Sequence, residues 1–495
     1  MATRLSLATL GQLPASVSIP GYRRDELSPG IVHIGVGNFH RAHQAAYLDE
    51  LFQRGLDQDW AIIGTGVRES DAEMGSDLAA QDFLTTVVTQ EAERSQARVT
   101  GAMIDFVAPG DRAAIIERLV DPRTRIVSLT VTEGGYYIDP ATQAFDPGHA
   151  DIATDAADRL AAPKTAFGLI AAGLLRRRAA GLPPFTVMSC DNLPGNGHVT
   201  ADAVAGLVEL ISPTEARWIR ESVAFPNGMV DRITPATSDR ERQTLRDDFG
   251  IEDGRPVFCE DFRQWVLEDR FPAGRPRLEE VGVQFVADVA PFELMKIRML
   301  NGGHAAIAYP AGLLDIHFVH EAMQDDQIAR FLSALLDDEV IPVVPPVPDT
   351  DLTDYKRTIE RRFANPKIGD TIRRLCLDGS NRQPKFILPT LRGALQAGKP
   401  IEGLALVSAL WCRYCYGETE SGQPIAPNDP SCSRLVAQAQ RARFTPDAWL
   451  QMRDIYGDLP DDRRFSEAFS RALQGIWRSG TRACIDAFLT SRRAS

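Results

Sequence analysis

The fold of this chain is decided by the stretch Ile31-Val-His-Ile-Gly-Val-Gly-Asn-Phe-His-Arg41. Its apolar start predicts a buried strand, and its two glycines predict a tight turn into a helix. Gly35 permits the turn, and Gly37 lets the backbone approach a pyrophosphate. The third glycine of the usual dinucleotide fingerprint is replaced by His40, so the match is partial. A lone Gly-x-Gly is also typical of a purely structural turn, and only the flanking pattern favours a cofactor loop.

Strand and helix signals alternate on both sides of this stretch. Helices are predicted at 41–52, 112–119 and 165–180. Strands are predicted at 60–65, 83–89, 125–132 and 185–190. A further strand at 97–104 is predicted to pair alongside the strand at 83–89. Such alternation predicts an α/β fold, a doubly wound Rossmann-type sheet with helices on both faces.

The second half of the chain has a different pattern, with few strand signals. Long helical segments are predicted at 291–312, 319–337, 354–363, 366–377, 388–397, 401–416, 432–439 and 464–475. We therefore predict two domains. Residues 1–286 form a dinucleotide-binding Rossmann domain, and residues 287–495 form a mainly α-helical substrate and catalytic domain.

Composition excludes several classes of protein. The 495 residues are 44% hydrophobic and 24% charged, as expected of a globular protein with a sizeable core. The net charge of -13 argues against a nucleic-acid or membrane partner. No apolar run approaches the roughly 18 residues that span a bilayer, and the start lacks a signal-peptide core. These features predict a cytoplasmic protein.

The cysteines and histidines predict no metal site. Seven cysteines in so long a chain predict reduced thiols rather than a disulfide framework. Cys412 and Cys415 lie in a segment that reads as a buried helix, without the second pair that a zinc site needs. His317 and His320 have no further ligand at a recognised spacing, so a structural histidine pair is favoured.

Four polar residues converge on one predicted helix that begins near Pro291. At 100° per residue Glu293, Lys296, Asn301 and His304 fall within an arc of about 140°, among apolar neighbours. A buried lysine is costly unless it is paired or neutral, so this face predicts a proton-handling site. The alternative is a lysine whose amine reaches solvent, beside a helix-terminal Asn-Gly-Gly. The three partners on the same face favour the functional interpretation.

An acidic residue follows the predicted strand at 60–65. In Gly64-Thr-Gly-Val-Arg-Glu-Ser-Asp71 the carboxylate of Asp71 lies where an adenosine ribose is expected. A carboxylate there accepts hydrogen bonds from the ribose and repels a 2′-phosphate, which favours NAD over NADP. Arg68 is close enough in sequence to oppose that preference, and a solvated loop is the alternative for Asp71.

The strand at 185–190 ends in Asp191 and Asn192, where ligands sit in open α/β sheets. A turn is the simpler explanation of these two residues. Two dehydrogenase schemes are missing from the chain, the Tyr-x-x-x-Lys arrangement and the zinc-ligand spacing of metal alcohol dehydrogenases. Lysine remains as the candidate base. Its ordinary pKa is about 10.4, and we expect burial to lower it, with Glu293 tempering the effect.

With these motifs the chain resembles the polyol-specific long-chain dehydrogenases and reductases. This family includes mannitol 2-dehydrogenases, fructuronate and tagaturonate reductases and arabinitol dehydrogenases. The likeness covers nearly the whole length and rests on long motifs at 33–44, 126–136, 185–194, 229–235 and 296–304. Asp378-Gly-Ser, Pro384-Lys-Phe and the turn before Asp71 are most similar to the mannitol 2-dehydrogenase members.

The resemblance implies NAD-dependent interconversion of a polyol and its 2-ketose, D-mannitol and D-fructose, without a metal. Lys296 matches the catalytic base, and Asn192 and Asn301 match the asparagines that hold the reacting oxygen. His304 matches a histidine that contacts substrate, and Glu293 matches a carboxylate that serves as a proton outlet. The chemistry agrees, because two amide N–H donors stabilise a developing alkoxide.

Further contacts follow from the same resemblance. Substrate hydroxyls are expected at Asp231, Arg374 and Lys385, with Arg382 competing with Lys385 as the basic residue near the far end. The implied cofactor contacts are Gly35, Gly37, Asn38, Phe39, His40, Arg41, Asp71, Thr132, Glu133 and Asn192.

Three alternatives stay open at the level of sequence. One is reduction of fructuronate or tagaturonate, which would need a cationic clamp for the carboxylate, and another is arabinitol oxidation. The third is an NAD-binding regulatory protein without catalysis, which the retained lysine and amides disfavour. The partner that we expect is a small polyol or ketose, bound by a monomer.

Overall fold

The structure, a computed structural model, describes residues 2–139 and 142–492. Contacts between Cα atoms divide the chain into two compact units, Met1–Ala290 and Pro291–Ser495. Among the described residues, all strands lie in the first unit: β1 Thr3–Arg4, β2 Pro29–Ile34, β3 Ala61–Thr65, β4 Thr85–Gln90, β5 Ser95–Thr100, β6 Met103–Val107, β7 Ile126–Leu129, β8 Thr186–Ser189, β9 Gly228–Asp231, β10 Ile251–Glu252, β11 Val257–Glu260, β12 Gln264–Glu268 and β13 Gln284–Val286.

Nine α-helices accompany these strands in the described part of the first unit. They are α1 Asn38–Ala42, α2 Gln44–Gln53, α3 Ser70–Ala79, α4 Arg112–Val120, α5 Ala150–Ala157, α6 Ala166–Ala179, α7 Asn196–Glu209, α8 Pro213–Ser222 and α9 Asp239–Phe249. Short 3₁₀ turns lie at Leu10–Gln12, Arg24–Glu26, Glu133–Tyr136 and Leu278–Val281.

The central sheet has five parallel strands in the order β6-β3-β2-β7-β8. Alternate residues of β2 pack on opposite faces. Val32 and Ile34 join the apolar cluster that α4, α6 and α7 cover, whereas Ile31 joins the cluster that α2 covers. A parallel sheet buried on both faces is the doubly wound arrangement. The predicted fold class is therefore confirmed.

Three smaller sheets complete the first unit. They have the orders β11-β4-β5, β13-β12-β9 and β1-β10. The single strand predicted at 97–104 is wrong, because Gly101 and Ala102 separate β5 from β6. β5 pairs antiparallel with β4, while β6 pairs with β3 at the edge of the central sheet.

In the described part of the second unit the regular structure is helical, apart from isolated bridges. Its α-helices are α10 Ala290–Met295, α11 Gly302–Leu313, α12 Val319–Gln324, α13 Asp326–Leu335, α14 Leu352–Phe363, α15 Ile372–Leu375, α16 Gly379–Phe386, α17 Leu388–Gln396, α18 Glu402–Tyr414, α19 Cys432–Ala442, α20 Asp447–Leu450, α21 Arg453–Tyr456 and α22 Arg463–Ser491, the last broken at Gly480. The first of them begins on Ala290, the last residue of the first unit.

Two π-helical segments, Lys296–Asn301 and Leu336–Val340, and two 3₁₀ turns, Ile341–Val343 and Pro366–Ile368, connect these helices. A third 3₁₀ turn lies at Leu459–Asp461. The continuous helices predicted at 291–312 and 319–337 are wrong, because a π turn interrupts the first and Asp325 caps a new helix within the second. Among the residues described, no helix combines the length and apolar character needed to cross a bilayer.

Candidate active site

The carboxyl ends of the central strands form the candidate cofactor site of the first unit. The chain runs outward from β2 to β3 and β6, then crosses back to β7 and β8. The strand order therefore reverses between β2 and β7, and ligands of open α/β sheets bind at such a switch point. The loops that follow these two strands are the ones that carry Gly35 to Arg41 and Thr132 to Glu133.

Gly35 is required by the backbone of the first loop. Its φ is +97°, and a Cβ at this position would lie 2.2 Å from the carbonyl oxygen of Thr130. Its N–H donates to Thr65 O at 2.9 Å, and its carbonyl accepts from Thr130 Oγ1 at 2.6 Å. At Gly37 a Cβ would meet little but open space, so the backbone stays accessible there. A ligand phosphate fits beside such a turn.

Most side chains after Gly37 are directed into the protein. His40 is 1% exposed and its ring stacks on His33, with centroids 3.5 Å apart. Arg41 is 2% exposed and donates to Asn38 Oδ1 and to the carbonyl of Arg255. The Asn38 amide donates to Pro235 O at 3.2 Å. These three side chains thus brace the loop, and their expected cofactor contacts remain predictions that the backbone could meet.

Asp71 lies in the first turn of α3 and folds back over the loop after β3. Its Oδ2 accepts the N–H groups of Val67 and Arg68, both at 3.0 Å. The side chain occupies the space that a Cβ on Gly66 would need. The carboxylate therefore anchors the turn, a role that the sequence did not indicate. Its predicted effect on cofactor choice remains to be tested.

The loop after β7 is held in a strained conformation by Asp191. Thr132 has a φ of +65°, which is rare for a β-branched residue. The Asp191 carboxylate accepts the N–H groups of Val131 at 3.0 Å and Thr132 at 2.9 Å, and the hydroxyl of Tyr136 at 2.8 Å. Burial raises the pKa of Asp191. The side chains of Thr132 and Glu133 remain exposed beside the switch point.

The turn after β8 is joined to β9, which carries Asp231. The buried amide of Asn196 donates to the carbonyls of Asp191 at 3.1 Å and Gly228 at 2.8 Å, and its oxygen accepts Gly228 N–H at 2.9 Å. Asn192 is exposed at the start of this turn, and Asp231 is buried at the end of β9. The role of Asn196 could not be predicted from the sequence, since Asn-Gly after Pro-Gly indicates only a turn.

The second unit carries the other four predicted catalytic residues on and beside a π turn. Lys296 opens the turn, Asn301 closes it, and the Gly302 N–H bonds to Ile297 O, five residues earlier. Lys296 is 6% exposed. At 100° per residue Lys296 and Asn301 would point about 140° apart. A turn closed by i→i+5 bonds instead brings residues five apart toward the same side, so the predicted arc is corrected to a narrower one. Such π turns are frequent at functional sites.

His304 follows on α11 and is held by an aromatic stack. Its ring lies 4.0 Å from that of Phe363, at an interplanar angle of 13°, and the residue is 8% exposed. Burial, reinforced by Arg374, Arg382 and Arg362, holds the pKa of His304 well below its ordinary value. The imidazole is therefore neutral at physiological pH and suited to hydrogen bonding with a hydroxyl.

The three predicted basic contacts differ in their surroundings. Arg374 donates through Nε to Asp370 Oδ1 at 2.5 Å and through Nη2 to Oδ2. Arg382 donates to Leu375 O at 2.7 Å, and Lys385 is exposed on α16. The sequence did not predict α16, because Gly379 and Pro384 lie within it.

Other polar clusters of the described chain offer no competing centre. No group of three or more histidine, cysteine, aspartate or glutamate side chains is arranged to hold a metal ion in that part of the chain. The Cys412 and Cys415 pair lies at the end of α18, where burial raises the pKa of both thiols well above their ordinary range. Such thiols are structural rather than reactive.

Two family models match this chain, one in each of its two parts. Residues 29–280 match the family model described as the mannitol dehydrogenase Rossmann domain, and residues 288–477 match the mannitol dehydrogenase C-terminal domain. The mannitol 2-dehydrogenase of Cereibacter sphaeroides is 58% identical over 477 residues, 96% of this chain and 99% of that relative.

Solved structures agree over the full length. The ternary complex of Pseudomonas fluorescens mannitol 2-dehydrogenase with NAD and D-mannitol is 42% identical, with a TM-score of 0.86 and coverage of 99% of this chain and 100% of that one. A substrate-free D-sorbitol dehydrogenase is 36% identical, with a TM-score of 0.91 and coverage of 97% and 100%. The chain belongs to the mannitol dehydrogenase family of oxidoreductases, which confirms the resemblance seen in its motifs.

Proposed function

We propose that this chain is an NAD-dependent mannitol 2-dehydrogenase that interconverts D-mannitol and D-fructose. The observation that carries the proposal is the buried Lys296 at the start of a π turn that ends at Asn301. The 58% identity to a mannitol 2-dehydrogenase over 96% of the chain supports the choice of substrate. The similar complex with NAD and D-mannitol supports the choice of cofactor.

In the proposed mechanism Lys296 is the general base. Oxidation of an alcohol at C2 requires removal of the hydroxyl proton, and a neutral amine on Lys296 accepts it. Apolar surroundings disfavour the ammonium form, which is how a buried lysine becomes a base near neutral pH. A bound NAD would supply the acceptor for the hydride that leaves C2. Glu293, one turn before Lys296, is proposed to carry the proton onward to solvent.

Two carboxamides stabilise the oxygen that loses this proton. Asn301 on the π turn and Asn192 after β8 are proposed to donate to the developing alkoxide. Such donors act at the transition state, where the charge on the oxygen develops. His304 stays neutral and contacts a substrate hydroxyl. Asp231, Arg374, Arg382 and Lys385 are proposed to contact the remaining hydroxyls.

The residues of the first unit are suited to a dinucleotide. The positive φ of Gly35 and the open backbone at Gly37 leave room for a pyrophosphate at the switch point. Thr132 and Glu133 stand exposed on the loop after β7. We propose that these positions, with the backbone of residues 38–41, hold NAD. Asp71 is proposed to disfavour the 2′-phosphate of NADP through its negative charge.

Steady-state rates decide the substrate. We expect oxidation of NADH with D-fructose and reduction of NAD with D-mannitol, with much lower kcat/KM for D-fructuronate, D-tagaturonate and D-arabinitol. D-sorbitol belongs in the same panel, since a D-sorbitol dehydrogenase is similar in structure. A clear preference for fructuronate overturns the proposed substrate. A protein that binds NADH but oxidises it with no member of the panel would be the regulatory alternative.

The remaining expectations are proposals of the same kind. We propose that the protein acts as a monomer in the cytoplasm without a metal. Treatment with a chelator should leave the rate with D-fructose unchanged, and light scattering during turnover should give the mass of one chain, 54.4 kDa. A rate that chelation abolishes and zinc restores would contradict the metal-independent mechanism.

A further inference from the structure

Arg374 is the only one of the three predicted substrate cations for which the described structure records an ion pair with a carboxylate. The pair joins Arg374 and Asp370 within one turn, with Nε 2.5 Å from Oδ1 and Nη2 bonded to Oδ2. The Asp370 side chain is only 10% exposed, whereas that of Arg374 is 54% exposed. The carboxylate thus lies deeper in the protein than the guanidinium, and the two bonds fix the plane of the guanidinium.

The backbone places both partners of this pair. The Asp370 carbonyl accepts the N–H of Val319, at the start of α12, at 2.9 Å. Thr371 caps α15, since its Oγ1 accepts the Arg374 N–H at 3.2 Å. Two-point pairing between arginine and a carboxylate is geometrically specific and stronger than a single contact. Asp370 therefore holds Arg374 in one orientation before any substrate arrives.

This pairing changes what Arg374 can bind. A free guanidinium prefers to grip a carboxylate with two parallel N–H groups. Here the Nε and Nη2 edge is taken by Asp370, which leaves two N–H groups on Nη1 and one on Nη2 at the far end of the guanidinium. A neutral hydroxyl oxygen can accept from this end at no electrostatic cost, whereas a second carboxylate would be repelled by the charge of Asp370.

Neutralisation of the Arg374 charge matters because other arginines act on the same histidine. Arg362, Arg374 and Arg382 all act on His304 by lowering its pKa, after the larger effect of burial. Three cations near one imidazole would attract a sugar acid if none were neutralised. We propose that Asp370 determines the charge preference of the substrate site by neutralising Arg374, so that neutral polyols and ketoses are accepted and sugar acids are disfavoured.

This inference rests on the proposed function, because it takes Arg374 as a substrate contact. The test uses Asp370→Asn, which keeps the shape and removes the charge. We expect kcat/KM for D-fructuronate relative to D-fructose, with NADH, to rise at least tenfold, and the rise to shrink at high salt. Asp370→Glu restores the charge and should bring the ratio back toward that of the native enzyme.

A matched control is available in the same unit. Asp461 forms a two-point pair with Arg453, at 2.9 and 2.7 Å, and neither residue is a predicted substrate contact. Asp461→Asn should leave the ratio of the two substrates unchanged. An equal change in both variants would overturn the proposal, as would an unchanged ratio in a folded Asp370→Asn.

A second measurement keeps the inference testable if Asp370→Asn does not fold. As competitors of D-mannitol in the native enzyme, D-gluconate should have an inhibition constant at least tenfold higher than that of D-sorbitol. Equal inhibition constants overturn the inference. The two proposals fail differently. Native preference for fructuronate refutes the proposed function, whereas native preference for fructose with an unchanged ratio in Asp370→Asn refutes only the role of Asp370.

Discussion

Replacement of Asp191 by alanine tests how the strained loop after β7 is held. The change removes three hydrogen bonds, from Val131 N–H, Thr132 N–H and the Tyr136 hydroxyl. Bonds to a charged group contribute about 1.5 kcal/mol each at the lower end, so the three stabilise the fold by about 4.5 kcal/mol. Relaxation of Thr132 from its φ of +65° recovers about 1 to 3 kcal/mol. The net loss of unfolding free energy is therefore about 1.5 to 3.5 kcal/mol.

The same variant should bind NAD at least tenfold more weakly. Without the carboxylate, Thr132 returns to an ordinary backbone conformation and displaces the loop that also carries Glu133. Urea denaturation measures the stability, and fluorescence titration with NADH measures the affinity. Asp111→Ala is the control, because Asp111 caps α4 through Ala114 N–H and its loss costs about 1 kcal/mol without touching this loop. Equal stability losses in the two variants and unchanged NADH affinity would refute the reasoning.

Three further predictions concern turnover, acid stability and cofactor choice. Asn301→Ala should lower kcat by roughly 10²-fold with little change in KM, because its amide acts on charge that exists only near the transition state; a loss confined to KM would reassign it to substrate binding. Acid should destabilise the first unit below pH 6.5, since burial holds the pKa of His33 and His43 at about 3 and that of His40 well below its ordinary value. Each such histidine binds its proton only on unfolding, which costs about 1.4 kcal/mol per pH unit between pH 6.5 and 3, and a urea midpoint that is flat from pH 7 to 5 would contradict this. Asp71→Asn should raise kcat/KM with NADPH relative to NADH while keeping an oxygen for the turn, and an unchanged ratio would limit Asp71 to its structural bonds.

The sequence predicted the architecture of the first unit because its signals are local. The apolar run before Gly35, the glycine turn and the helix after it follow one another within a few residues, and the same holds for β7 and β8. Two strands separated by Gly101 and Ala102 could not be assigned to different sheets in this way. The partner of β5 is β4, which directly precedes it in the chain, whereas β6 pairs with β3, which lies before both.

The residues of the candidate site stay predictions, and the backbone geometry that carries them could not be read from the sequence. A π turn at 296–301 cannot be recognised in a pattern read at 100° per residue. Such a pattern therefore gives too large an angle around the helix axis between Lys296 and Asn301. Helix α16 was not predicted because it contains Pro384, and proline usually ends a helix. The bonds of Asp191 and Asp370 depend on tertiary structure and local side-chain rotamers, which spacing alone does not reveal.

Substitution of Lys296 tests the central claim, that a buried lysine on the π turn removes the substrate proton. In Lys296→Ala the rate of NAD reduction with D-mannitol at neutral pH should fall by about 10²- to 10⁴-fold, while NADH affinity stays near its native value. Lys356→Ala is the control, because Lys356 is also a buried lysine of the second unit, paired with Asp337 at 2.5 Å; it should change stability and leave turnover intact. A Lys296→Ala enzyme that oxidises D-mannitol at a near-native rate would contradict the account, because another group would then be the base.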